Sequence, residues 1–169
     1  MEKVIKGFVP FLQRDFGKDY DCTLCSVAAV CYNDKELNRS KTKHFVEIYN
    51  MTEKRANKLF YNGDKYGFIS VFIKKLFNQV IYDLTSKMGN TKSGYIKGIG
   101  FNYKKICSVI DKDIPVILNM IHPKYKSHTV TVIGYNTEDN QLIIQDNWNR
   151  EKQTIYYKDI NCLSSINYQ

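Results

Sequence analysis

A cysteine acts as a nucleophile only as its thiolate, and Cys22 stands where a chain can make one. The segment DCTLCSVAAVCY is small and apolar after Asp21, a pattern that predicts a buried helix beginning at or near Asp21–Cys22. Asp21 is the expected N-cap, its side chain accepting a backbone N–H of the first turn, which puts Cys22 at the positive end of the helix dipole. A neighbouring imidazolium would complete the activation, because a helix N-terminus and a cationic neighbour lower a thiol pKa from about 8.5 into roughly the 3.5–7.5 range. Such a pair attacks a carbonyl carbon and later returns a proton to the leaving amine.

His128 is the candidate partner. HTVTVIG and QLIIQ flank the turn-forming cluster NTEDN, so the stretch from Ser127 to Trp148 predicts a β-hairpin. If Gly134 opposes Asn140 across a five-residue loop, the same register sets His128 opposite Asp146. Opposed residues have Cβ atoms about 4.5–5.5 Å apart, near enough for the Asp146 carboxylate to accept an imidazole N–H. Trp148 lies two residues further, on the same face by strand parity, where its indole would shield that bond from water. Asn147 points to the other face in this register, as a structural or solvent-facing group.

Cys25 shares the helix and is an alternative nucleophile. With Cys22 it makes a C-x-x-C, which raises redox and metal chemistry. No second C-x-x-C or histidine pair supplies the remaining ligands of a structural zinc, and no βαβ pattern flanks the motif as in a thioredoxin. No metal and no cofactor is implied. Cys31, Cys107 and Cys162 read as small buried hydrophobes. Five cysteines without regular spacing predict free thiols in a reducing compartment, hence a cytoplasmic protein.

The elements that must position these residues follow from periodicity. KTKHFVEIYN and TEKRANKLFYN predict two helices, the second capped by Thr52, and FISVFIKKLFNQV a further one, with IYDLT as a short strand. TSKMGNTKSGYIKGIG, with four of the nine glycines, reads as a loop bordering a cleft. FNYKKICSVIDK is amphipathic and helical, IPVILNMI a central strand, and QTIYY a strand beyond the hairpin. Residues 1 to 13 read as an extended lead-in. Helices first and an antiparallel sheet second define an α+β fold.

At 169 residues the chain is expected to form a single domain, residues 1–169, with ordinary hydrophobic (43%) and charged (25%) fractions that exclude a disordered chain. The net charge of +8 is densest from Arg39 to Lys58, including Lys41, yet lysines are spread through the whole chain. No nucleic-acid motif accompanies them, so a nucleic-acid partner is not expected. The N-terminus has no uninterrupted apolar region of a signal peptide, and no window reaches the roughly 18 apolar residues that cross a bilayer.

DCTLCSVAAV, with Cys22 first and Ser26 four residues on, is similar to the nucleophile helix of the papain-like cysteine peptidases. HTVTVIGYN resembles their histidine strand, IIQDNW the strand ending in the third catalytic member, and IDKDIPVILNM the strand before the histidine. The nearest resemblance is to the bacterial cysteine peptidases related to the bacteriocin-processing double-glycine peptidases. It covers roughly residues 10 to 35 and 101 to 150. It implies a helical half, led by the nucleophile helix, packed on a C-terminal antiparallel sheet. It also implies a Cys22–His128–Asp146 triad that hydrolyses peptide or isopeptide bonds of a peptide or protein substrate through a thioester. The family sets a glutamine before the nucleophile to form the oxyanion hole with the cysteine N–H, a role that falls to Gln13, nine residues upstream. The same triad serves acyl transfer and deamidation, and the same fold can act as a non-catalytic peptide- or protein-binding module.

Overall fold

A computed structural model describes the whole chain except residues 35, 38–42, 64, 66, 88, 90, 95–101 and 169, and the side chains of 92–94. Its strands are β1 (Glu2–Val4), β2 (Thr91–Gly94), β3 (Val116–His122), β4 (Lys126–Asn136), β5 (Gln141–Gln145), β6 (Gln153–Tyr156) and β7 (Asn161–Tyr168). They form one antiparallel sheet in the order β2-β7-β3-β4-β5-β6, with β1 paired to the end of β4. The helices are α1 (Gln13–Phe16), α2 (Cys22–Asn33), α3 (Phe45–Asn57), α4 (Ile73–Thr85) and α5 (Tyr103–Ile110).

Alternation along β3 divides the core. Ile117 joins Ile166 and the buried residues of α2, α3 and α4, whereas Val116, Leu118 and Met120 join Val130, Val132, Ile144 and the α5 residues Ile106 and Ile110. Helices therefore cover both faces of the central strands, which is why β3 reads as a nearly continuous apolar run. Helix α2 is buried from Thr23 to Cys31. Its small residues Ser26, Ala28 and Ala29 let it lie between α3 and the sheet.

The helix and antiparallel-sheet content is that of the expected α+β fold, with several local corrections. The two helices expected around Thr52 are one: α3 runs unbroken from Phe45, the Glu47 carboxylate accepts the His44 N–H at 3.0 Å, and the buried Thr52 hydroxyl donates to the Ile48 carbonyl in mid-helix. IYDLT is the last turn of α4, because the buried stripe Ile73, Leu76, Phe77, Val80, Ile81 continues into it at helical spacing. The lead-in contains β1, and β7 runs beside β3 at the C-terminal end. The glycine-rich stretch holds β2, while its residues 95–100 lie outside the described residues, as do Arg39 and Lys41 of the basic stretch. Among the described residues no helix is long and apolar enough to cross a membrane.

The hairpin exists in a different register. Asn136 faces Gln141, Gly134 faces Ile143, and after an irregularity at Ile133 Val132 faces Ile144 and Thr131 faces Gln145. Position 128 is thus not opposed to Asp146. Strand β4 runs two residues past Gly134 because β1 pairs there, Lys3 with Tyr135 and Glu2 with Asn136. Gly134 permits this approach: a Cβ at that position would lie 2.5 Å from the Lys3 carbonyl oxygen.

Candidate active site

Helix α2 begins at Cys22, with the Cys25 N–H donating to the Asp21 carbonyl at 2.9 Å. Asp21 occupies the N-cap position but its side chain does not cap. The carboxylate turns inward, fully buried, where Oδ2 accepts the Tyr49 hydroxyl at 2.7 Å and the Cys25 thiol at 3.6 Å, and the Gln13 side chain also hydrogen-bonds to it. The stacked pair Phe16–Tyr49, with ring centroids 3.7 Å apart, holds the tyrosine in place. Burial raises the Asp21 pKa more than these hydrogen bonds lower it.

Cys22 faces His128, which is 4% exposed on β4. Burial alone would raise the Cys22 thiol, but the hydrogen bond and charge of His128 outweigh it and hold the thiol below its ordinary value. For His128 burial works downward, and the hydrogen bond and charge of Cys22, with the main chain of Asp146, bring it above its ordinary value. The two shifts have one cause. Both shifts move the pair toward a thiolate beside an imidazolium.

His128 Nε2 lies 2.7 Å from the main-chain carbonyl oxygen of Asp146, so Asp146 meets the imidazole through its backbone and not through the carboxylate. A carbonyl oxygen only accepts, which puts a proton on Nε2 and leaves Nδ1 for Cys22. The fully buried carboxylate instead accepts the Trp148 N–H at 3.0 Å, the Asn149 N–H at 2.8 Å, the Asn149 side-chain amide at 2.8 Å and the Tyr125 hydroxyl at 3.1 Å. These bonds fix the turn that aims the Asp146 carbonyl. The indole of Trp148 lies against His128, with centroids 4.3 Å apart, although it stands beyond the end of β5 and not where the expected strand parity would set it. Tyr125, part of a segment that reads as a mere connector, stacks nearly parallel to the imidazole at 5.6 Å and 9°, with its ring 5.3 Å from that of Trp148.

Asn147 is structural but not peripheral. It is 1% exposed, adopts φ 64°, and its side-chain amide donates to the Cys22 carbonyl (3.0 Å), Ser26 Oγ (2.8 Å) and the Thr129 carbonyl (2.8 Å), while its own carbonyl accepts the Gln13 N–H (2.9 Å). A second link joins the Thr23 and Thr129 hydroxyls at 2.7 Å, with the Asn119 amide donating to the latter. The helix terminus and the histidine strand are thereby tied together. Neither Asn147 nor Tyr125 carries a sequence signal beyond its nearness to Asp146 and His128.

Gln13 opens α1 and lines the same cleft of about 360 Å³ as Cys22, His128, Asn119, Phe68, Tyr20 and Trp148. Its Nε2 donates to the Asp19 carbonyl at 3.0 Å, and its side chain also hydrogen-bonds to the Asp21 carboxylate. The nine-residue span from Gln13 to Cys22 is taken up by α1, the left-handed Gly17 that ends it, and the loop beyond. Cys25 does not line the cleft, is fully buried, and has its thiol pushed well up by burial and by Asp21. Among the described residues no group of three His, Cys, Asp or Glu side chains is placed to hold a metal.

The peptidase domain of Streptococcus mutans ComA is similar to this chain at 16% identity, over 96% of this chain and 99% of that one, with a TM-score of 0.53. Xylellain, a cysteine protease from Xylella fastidiosa, is similar at 11% identity, over 98% and 85% of the two chains, with a TM-score of 0.62. Such low identities show the papain-like fold and no more. No curated protein matches the chain. The profile of the Peptidase_C39 like family, however, matches residues 5–168, nearly the full length. The chain accordingly belongs to the Peptidase_C39 like family and is a thiol hydrolase of the cysteine-peptidase kind.

Proposed function

We propose that the protein hydrolyses peptide or isopeptide bonds with Cys22 as nucleophile and His128 as general acid and base. The observation that carries this reading is the Cys22–His128 pair itself, with its opposed pKa shifts at the wall of an open cleft. The thiolate adds to the scissile carbonyl carbon, and the oxyanion takes hydrogen bonds from the Cys22 N–H, which has no intrahelical acceptor, and from the side-chain amide of Gln13. The imidazolium of His128 gives its proton to the leaving nitrogen, forming a thioester. Neutral His128 then takes a proton from water, which attacks the thioester and restores the thiol. Asp146 holds the imidazole by its main-chain carbonyl, and its carboxylate secures that carbonyl.

The test is cleavage of a peptide library, read by mass spectrometry, by the wild type and by Cys22→Ala, His128→Ala and Cys25→Ala. Cleavage is expected to survive only Cys25→Ala. Undiminished cleavage by Cys22→Ala would overturn the assignment.

A further inference from the structure

Cys25 and Asp21 take no part in the peptidase steps above, yet they form a built arrangement directly behind the nucleophile. The Cys25 thiol donates to a carboxylate that is itself fully buried and adjoins Cys22 in sequence. Residues three apart on a helix share a face, with Cβ atoms about 5–6 Å apart, whereas a disulfide takes about 3.5–4.5 Å. Closing that gap asks for about 1–2 Å of movement in the first turn, where the Cys22 N–H has no intrahelical acceptor to lose. Cys22 lines the cleft, whereas Cys25 is buried and does not.

We propose that Cys22 and Cys25 are a redox pair, in which hydrogen peroxide entering the cleft converts the nucleophile to a Cys22–Cys25 disulfide with Asp21 as the base for Cys25. The inference rests on the reading of Cys22 as the reactive thiolate. The Cys22 thiolate attacks one peroxide oxygen and breaks the O–O bond, giving a sulfenic acid, and the departing hydroxide takes the His128 proton to become water. Cys25 then passes its proton to Asp21 Oδ2, and its sulfur attacks the Cys22 sulfur. The S–O bond breaks, and the second hydroxide leaves as water with the proton held by Asp21. Each sulfur loses one electron and the peroxide gains both. Formation of the disulfide switches hydrolysis off and protects Cys22 from irreversible sulfinic acid, and a small dithiol restores it.

Burial keeps the Cys25 thiol protonated and also makes the Asp21 carboxylate more basic than usual, so the proton transfer between them is the step that the buried pair favours.

The experiment treats the reduced full chain with hydrogen peroxide, blocks free thiols with iodoacetamide and analyses the peptide bearing both cysteines. The expected product, a peptide that also holds Cys31, has lost two hydrogens across Cys22 and Cys25, carries an alkyl group at Cys31 alone, and regains both thiols with dithiothreitol. Cys25→Ala, with Cys25→Ser as a second variant should the first not fold, is expected to retain hydrolysis but to end as Cys22 sulfinic acid that dithiothreitol does not reverse. Asp21→Asn is expected to close the disulfide about 100-fold more slowly, at the lower end of what a positioned base contributes, and to accumulate a dimedone-reactive sulfenic acid. Sulfinic acid at Cys22 of the wild type with a free Cys25 would overturn the proposal, as would unchanged closure in Asp21→Asn for the role of Asp21. If Cys22 is no more reactive than Cys107 before peroxide is added, the peptidase reading itself has failed. If Cys22 is hyper-reactive and no disulfide forms, only the redox inference has.

Discussion

The side-chain amide of Asn147 reaches the main-chain carbonyl of Cys22 across 3.0 Å, binding the first turn of α2 to the loop that follows β5. With its further bonds to Ser26 and Thr129, this one buried side chain sets the spacing between Cys22 and His128. Asn147→Ala is therefore expected to be severe. It leaves buried acceptors unpaired and places alanine at φ 64°, together costing about 2–4 kcal/mol. Asn147→Gly loses the same bonds but not the backbone strain, and should be less destabilised by about 1 kcal/mol. Urea unfolding of the two variants checks both statements.

A second expectation concerns Asp146. Because His128 is held by the Asp146 main-chain carbonyl, Asp146→Asn should keep that contact and an acceptor for Trp148 and Asn149, with turnover reduced about tenfold or less. Asp146→Ala removes both carboxylate acceptors of the turn, costs about 1–3 kcal/mol and should lose most turnover. Equal losses in the two variants would mean that the carboxylate charge itself governs His128.

Tyr125→Phe separates stacking from hydrogen bonding. The ring remains against His128 while the carboxylate of Asp146 loses one of its donors. Stability is expected to fall by about 1 kcal/mol with kcat/KM changed less than in Asp146→Ala, measured by urea unfolding and steady-state kinetics.

Asp21 makes a pH-dependent contribution of unusual sign for a carboxylate. Its folded pKa is raised above the ordinary 3.8, so its share of stability is present in acid and is lost as pH rises through the folded value. In Asp21→Asn this loss disappears, and the amide oxygen still accepts the Tyr49 hydroxyl. The stability of the variant relative to wild type should accordingly increase as pH rises above the ordinary 3.8, in paired unfolding curves. A constant difference would place Asp21 at its ordinary pKa.

Much of this architecture can be read in the residues. The small apolar run after Asp21 marks α2, and β-branched runs around a polar cluster mark β4 and β5, because both signals are local. What was not legible is non-local. The register of β4 against β5 depends on β1, from the far end of the chain, pairing with Tyr135 and Asn136, and on an irregularity at Ile133. The expected opposition of His128 and Asp146 fails on that account, although the two residues still meet by another atom. Asp21 has the composition of an N-cap, but Tyr49, twenty-eight positions away, draws its carboxylate inward. The importance of Asn147 and Tyr125 likewise arises only when three elements converge.

The central claim is that Cys22 is held as a thiolate by His128, and alkylation kinetics test it most directly. Iodoacetamide at limiting concentration, with each cysteine followed by mass spectrometry across about pH 5 to 10, compares all the thiols in one tube. Cys22 should react about tenfold or more faster than Cys107 and Cys162 near neutral pH, with an inflection below the ordinary thiol value of 9.0. In His128→Ala that inflection should move upward, since burial then acts unopposed. A Cys22 that reacts no faster than Cys107 and Cys162, or whose inflection does not respond to His128, would contradict the account.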